Sequence, residues 1–154
     1  MSRDWMKVLI IYDSVYGNTE RIAKAVGAAI AGDVKVVRAA EVNPTGLGQL
    51  DLLIVGSPTL GGRPSPPIQD FLERVPGNFV SGLKVAGFDT RYSSKFVKIF
   101  GFAAEKIAAV LEQKGGKLVS APAGFFVTGK KGPLNDGELE RAGGWAKEIV
   151  KQDG

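Results

Sequence analysis

Neither cysteine nor histidine occurs anywhere in the 154 residues. The first absence excludes disulfides, thiolate nucleophiles, Cys-ligated iron–sulfur clusters and Cys-type zinc sites. The second removes the commonest general base, the usual catalytic triads and imidazole metal sites. Long apolar runs are missing too. Val8-Leu9-Ile10-Ile11-Tyr12 stops at Asp13, too short for a signal h-region or a membrane span. No targeting signal or transmembrane segment is therefore expected, and the default is a cytoplasmic protein. Charge is only mildly unbalanced: 20 Lys and Arg against 16 Asp and Glu leave +4, which permits an acidic partner without demanding one. If such a chain performs redox or group-transfer chemistry, something bound to it must supply the reactive atoms.

What is present is an alternation of strands and helices. A hydrophobic content of 44% suffices for one core, and the length argues for a single domain over 1–154. KVLIIYD (7–13) is a continuous apolar run, as a strand buried on both faces should be. Ile22, Val26 and Ile30 then form one stripe of a helix over 19–30. DVKVVRA (33–39) alternates like an edge strand, residues 43–50 hold at most a short helix, and LLIVGS (52–57) is a second buried strand. Ile68, Phe71, Leu72 and Val75 predict a helix over about 67–75 with Pro67 in its first turn, and LKVAGFD (83–89) is a fourth strand. Ala104, Ile107, Ala108 and Leu111 mark a helix closed by Gly115-Gly116. KLVS and GFFV, split by Ala-Pro-Ala, make one interrupted strand. Asn135 and Glu138 form a cap-like start for the last helix, which carries Leu139, Ala142, Ala146 and Ile149. The sum is an α/β doubly wound, five-stranded parallel sheet in the order 2-1-3-4-5 with helices on both faces. Ligands should bind beyond the carboxyl ends of strands 1, 3 and 4.

The most informative segment is Asp13-Ser14-Val15-Tyr16-Gly17-Asn18-Thr19, between a buried strand and a helix. A helix start exposes unpaired N–H groups and partial positive charge, so it is an anion site. Ser14, Tyr16 and Thr19 add hydroxyls, and Gly17 permits close approach. No Lys or Arg lies in this loop, so neutral donors face the anion. That suits a monophosphate better than a nucleoside triphosphate, whose GxxxxGK[ST] loop uses a lysine.

The run IIYDSVYGNTERIAKAV (10–26) resembles the flavodoxin signature across its length, and the likeness continues through IVGSPTLGG (54–62) and the fifth-strand region. The chain is also similar to the flavodoxin domains of flavodiiron proteins. With no histidine, and a start at its own Met, no diiron module is expected in it. The resemblance implies a flavodoxin-like fold holding noncovalent FMN, with the phosphate wrapped by Ser14, Val15, Tyr16, Gly17, Asn18 and Thr19. Pro58, Thr59, Leu60, Gly61 and Gly62 would flank the flavin ring. In this family a glycine turn here changes its peptide orientation with flavin protonation, a role open to Gly61 or Gly62. Leu60 stands where a shielding tryptophan is common, and Trp5 and Trp145 are read as packing residues. Asp89, Thr90, Arg91 and Tyr92 would follow strand 4 as the third loop, with Tyr92 first and Phe96 second as the aromatic that stacks on the ring.

This third loop departs from the family's acidic, glycine-rich pattern. Arg63, Arg91, Lys95 and Lys98 are expected to form a basic rim against Asp13 and Asp89. Such a rim implies a less negative reduction potential and a redox partner protein that is acidic where it docks. GLGQLD (46–51) precedes its strand and lacks a third Gly, so it is no dinucleotide site. Ser57 stands where a receiver domain needs its phosphoacceptor Asp. Lys130-Lys131 and the rim cations are a thin basis for nucleic-acid binding, which is not expected. The reading is an FMN-binding electron carrier shuttling between redox partner proteins, with no catalytic residue and no metal of its own. The alternatives are an FMN-dependent oxidoreductase of the quinone or protoporphyrinogen type, and a flavin-free binding module of the same fold.

Overall fold

The computed structural model describes residues 6–92 and 101–151. Its strands are β1 (Met6–Tyr12), β2 (Gly32–Arg38), β3 (Leu52–Pro58), β4 (Lys84–Tyr92), β5 (Lys117–Leu118) and β6 (Ala123–Val127). Its α-helices are α1 (Asn18–Ala28), α2 (Pro66–Arg74), the single turn α3 (Gly77–Val80), α4 (Ala103–Gln113) and α5 (Glu138–Lys151). The strands run parallel in the order β2-β1-β3-β4-β5, and β6 also pairs with β4. The doubly wound sheet expected from the sequence is therefore present.

The interrupted last strand is resolved by register. Lys117 and Leu118 pair with Lys84 and Val85, whereas Ala123–Val127 pair with Phe88–Tyr92. Both pieces thus lie along one edge of β4, and the break between them is where the chain lacks a ladder partner. β4 gains from this an extension that the sequence reading did not allow. The strand was expected to end at Asp89 and give way to a loop through Tyr92, but Thr90 to Tyr92 are strand as well, held by β3 through Ser57↔Asp89 and Pro58↔Thr90 and by β6 on the other side. Residues 43–50 form no helix; a 3₁₀ turn at Ala39–Glu41 precedes them instead.

Alternation along the buried strands divides the core into two layers. Val8, Ile10 and Tyr12 of β1 face α1 and α5 in one layer, with Ile22, Val26, Ala142 and Ile149. Leu9 and Ile11 face the other layer, with Ile68 and Phe71 of α2 and Ile107 and Leu111 of α4. A run apolar on both faces is what a central parallel strand requires. Trp145 packs in the first layer, edge-on to Phe88 and Phe125, and its indole N–H donates to Ser120 Oγ at 2.9 Å. Trp5 lies outside the described residues. Among the described residues, no helix is long and apolar enough to cross a membrane.

Parallel strands connected by helices send every helix N-terminus to the carboxyl edge of the sheet. The first-turn N–H groups of α1 and α4 are gathered there for that reason.

Candidate functional site

The chain leaves β1 at Tyr12, and the Asp13 N–H still follows the ladder, donating to Gly56 O at 3.2 Å. Ser14 then turns inward. Its Oγ accepts the N–H of Gly17 at 3.0 Å and that of Glu20 at 3.3 Å, so this hydroxyl shapes the loop from within. Gly17 takes φ 95°, the left-handed region that glycine enters without cost, and no side-chain cap closes the first turn of α1. Among the described residues, the N–H groups of Asn18 and Thr19 meet no acceptor. Thr19 is buried, and its hydroxyl shares a hydrogen bond with that of Thr90 at 2.7 Å. This ties α1 to β4 beneath the loop.

Negative charge close to the loop is neutralised within the protein. Arg38 lies 3.6 Å from Asp13 and 3.5 Å from Glu20, and it donates to Ser14 O at 3.0 Å. Lys24 sits 3.2 Å from Glu20, and together with the Tyr12 hydroxyl it holds that carboxyl below its ordinary range. Burial pushes the Tyr12 hydroxyl the other way, upward.

The second loop folds back as a tight turn. Leu60 N–H donates to Arg63 O at 2.8 Å and Arg63 N–H returns to Leu60 O at 3.1 Å. Between them Gly61 and Gly62 take φ 58° and 81°, the sign that a two-residue mirror-image turn demands at both positions. Thr59 fixes the turn to its surroundings. Its N–H donates to Thr90 O at 2.9 Å, while its hydroxyl accepts the Ala103 N–H at 3.0 Å. Lys106 Nζ donates to Gly62 O at 2.5 Å.

Asp89 and Arg91 behave unlike rim residues. Asp89 is wholly buried and accepts both Arg91 Nε at 2.8 Å and Arg91 Nη2 at 2.9 Å, and its Oδ2 also accepts the Ala104 N–H at 2.9 Å. The Arg91 guanidinium lies 3.5 Å over the Phe102 ring and closes onto Gly124, where any side chain would strike it. Burial raises the Asp89 carboxyl above its usual value, with the Arg91 pair pulling it back. The basic rim expected from sequence is thereby corrected at Arg91 and Arg63. Arg91 is neutralised inside the protein, Arg63 faces a groove between α2 and α4, and Lys95 and Lys98 lie outside the described residues with Phe96.

These loops enclose a cleft of about 660 Å³ at the carboxyl edge. Val15, Tyr16, Asn18, Pro58, Thr59, Leu60, Gly61, Thr90 and Tyr92 line it. Ser14, Gly17, Thr19, Gly62, Asp89 and Arg91, also singled out in the sequence, are not part of that lining. Val127 and Lys130 complete the lining and were not anticipated. The signal for Lys130 was the glycine-bracketed Gly129-Lys130-Lys131-Gly132, visible as a basic pair but without a place until β6 put it beside the first loop. Val15, Tyr16, Leu60 and Tyr92, the large exposed hydrophobic residues of the described chain, all lie on this one cleft. Such a patch marks a binding surface for apolar matter. No cluster of acidic residues among the described ones can hold a metal ion. The arrangement is suited to grip a flat, largely apolar molecule that carries an anionic group.

Comparison with known proteins agrees with this fold. A family model described as Flavodoxin matches residues 10–145. A flavodoxin from the domain Archaea superposes with a TM-score of 0.80 at 23% identity, covering 97% of this chain and 100% of that one. The flavodiiron protein from Giardia intestinalis gives 0.74 at 19% identity, covering 95% of this chain and 36% of its own. A putative diflavin flavoprotein from Nostoc sp. is 34% identical over 45% of this chain and 15% of the relative, so the chain spans a small part of that protein's length.

Proposed function

The chain belongs to the flavodoxin family, and on that premise we propose that it is an electron carrier that holds FMN in the carboxyl-edge cleft and docks transiently with redox partner proteins. FMN is the cofactor of the family, and when bound it supplies the redox chemistry that a chain without cysteine or histidine lacks. The residues present fit it. Unpartnered first-turn N–H groups at Asn18 and Thr19 are donors for a phosphate, and Ser14 and Gly17 hold them in place. Leu60, Tyr16 and Tyr92 offer apolar and aromatic surface for the ring. The observation that carries the reading is the confinement of Val15, Tyr16, Leu60 and Tyr92, otherwise costly to expose, to the wall of this single cleft.

The protein's part is to bind, orient and shield. Electron transfer requires no proton donor or nucleophile from the chain, and the carboxylates of the surrounding loops and strands, Asp13, Glu20 and Asp89, are each committed to an arginine. An acidic partner face is supported by the groove of about 640 Å³ between α2 and α4, which shares the Leu60–Arg63 turn with the cleft. Arg63, Lys106 and Lys114 border it against one carboxylate, Glu73, over a floor of Leu72 and Val110. Association there would be fast at low salt and slow at high salt.

Purification tests the proposal directly. Yellow protein that releases FMN on denaturation, or colourless protein that takes up added FMN with quenching of its fluorescence, is the expected result. Protein that stays colourless with excess FMN overturns it. Steady oxidation of NAD(P)H with a quinone by the loaded protein alone would replace the carrier with an enzyme.

A further inference from the structure

Lys130 is the one charged residue among those lining the cleft, and among the described residues neither it nor Lys131 joins an ion pair. The carboxylates nearby are committed elsewhere, Asp13 and Glu20 to Arg38 and Asp89 to Arg91. The segment bearing the two lysines is latched to the first loop. Asn18 Nδ2 donates to Lys131 O at 3.2 Å, and Lys131 Nζ lies 6.0 Å from the centre of the Tyr16 ring. Gly132 makes this approach possible, because a Cβ there would come within 2.6 Å of the Asn18 amide. The segment also closes on itself, with Thr128 N–H donating to Pro133 O at 2.8 Å and Gly132 N–H to Gly129 O at 3.0 Å.

We propose that Thr128–Pro133 is a fourth wall of the cofactor site, in which Lys130 and Lys131 supply the positive charge that the Ser14–Thr19 loop lacks and so select a flavin that carries a phosphate over one that does not. The inference rests on the flavin reading above. Its physical basis is a division of labour. Neutral N–H and hydroxyl donors shape the anion site but leave a dianion's charge uncompensated, and two solvent-facing ammonium groups beside it lower that cost by a screened Coulomb attraction. The contribution must therefore depend on salt and vanish for a ligand without phosphate.

The test titrates apoprotein with FMN and with riboflavin, following quenching of flavin fluorescence, at low and at high ionic strength. Lys130→Gln, Lys131→Gln and the double variant alter exposed side chains, so the fold is retained. At low salt each single variant should lose about fivefold in FMN affinity and the double variant more, while riboflavin affinity holds. High salt should shrink the difference between wild type and variants. FMN affinity unchanged in the double variant, or an equal loss for FMN and riboflavin, overturns the inference while leaving the flavin site standing. Wild-type protein that takes neither flavin overturns the flavin reading itself and this inference with it.

Discussion

The two ends of the sheet carry depressions of almost the same size and quite different character. At the carboxyl edge the cleft of about 660 Å³ exposes Val15, Tyr16, Leu60 and Tyr92, with unpartnered N–H groups at the start of α1. At the amino edge a hollow of about 650 Å³ is bordered by Lys7, Gln49, Asp51, Asn78 and Leu83. There the polar groups answer one another. Asp51 N–H donates to Lys7 O at 2.8 Å and Lys7 N–H to Asp51 Oδ2 at 2.8 Å. The helix end at that edge is closed too, since Gly115 takes φ 95° and the Gly116 N–H returns to Leu111 O at 2.9 Å. Volume therefore does not distinguish a site from a dent. The difference is that parallel strands point helix N-termini, with their spare donors and positive dipole ends, at one edge only.

Substitutions at the two edges put that contrast to the test. The largest effect is expected from Thr19→Val, which leaves the buried Thr90 hydroxyl without its partner. Apoprotein stability should fall by about 2 kcal/mol in urea unfolding, and flavin retention with it; unchanged stability would mean that the tie beneath the loop is not structural. Tyr92→Ala should do the reverse, weakening FMN by about tenfold while leaving the apoprotein's unfolding midpoint in place, because that side chain is already 47% exposed. A loss of stability without a loss of affinity would move Tyr92 from the ligand to the core.

A third, smaller effect is tied to pH. Glu138 accepts the Phe126 N–H at 2.6 Å and pairs with Arg141 at 2.7 Å, which holds its carboxyl below the ordinary range and Arg141 above its own. Since the folded value is the depressed one, the stabilisation is fully present above the usual carboxylate range and is lost as pH falls through the folded value. Glu138→Gln should thus cost about 1 kcal/mol at neutral pH, and the gap between the two unfolding curves should close in acid. A gap that persists below the folded value would mean packing, not charge. Smallest of all, Asp51→Ala at the amino edge should cost about 0.5 kcal/mol and leave FMN affinity untouched. A loss of binding there would erase the distinction between the two ends.

Much of this was legible in the residues. The apolar runs of β1 and β3, and the stripes Ile22–Val26 and Ile68–Phe71–Leu72, follow from periodicity, because burial on one face or two leaves a direct trace in the pattern. Gly61 and Gly62 were visible as candidates for positive φ, which both adopt, and Gly17, read only as permitting close approach, adopts it too. Other features were misread for a common reason. Asn135 and Glu138 have the spacing of a capping box, but the Glu138 carboxylate reaches Phe126 of β6 instead. Asp89 and Arg91 looked like loop charges, yet they are neighbours on one strand whose side chains meet in the interior.

The order of elements, the parallel sheet and the edge to which the helix N-termini point were all contained in the residue order, because chain polarity and hydrophobic period are local properties. Which charges would matter was decided by tertiary structure alone. Pairing across 24 residues put Arg38 on the Ser14 carbonyl, and contact across 113 residues set the Lys131 carbonyl against Asn18. A charge acts through its distance to its neighbours and its exposure to water, and neither quantity is written in the order of the residues.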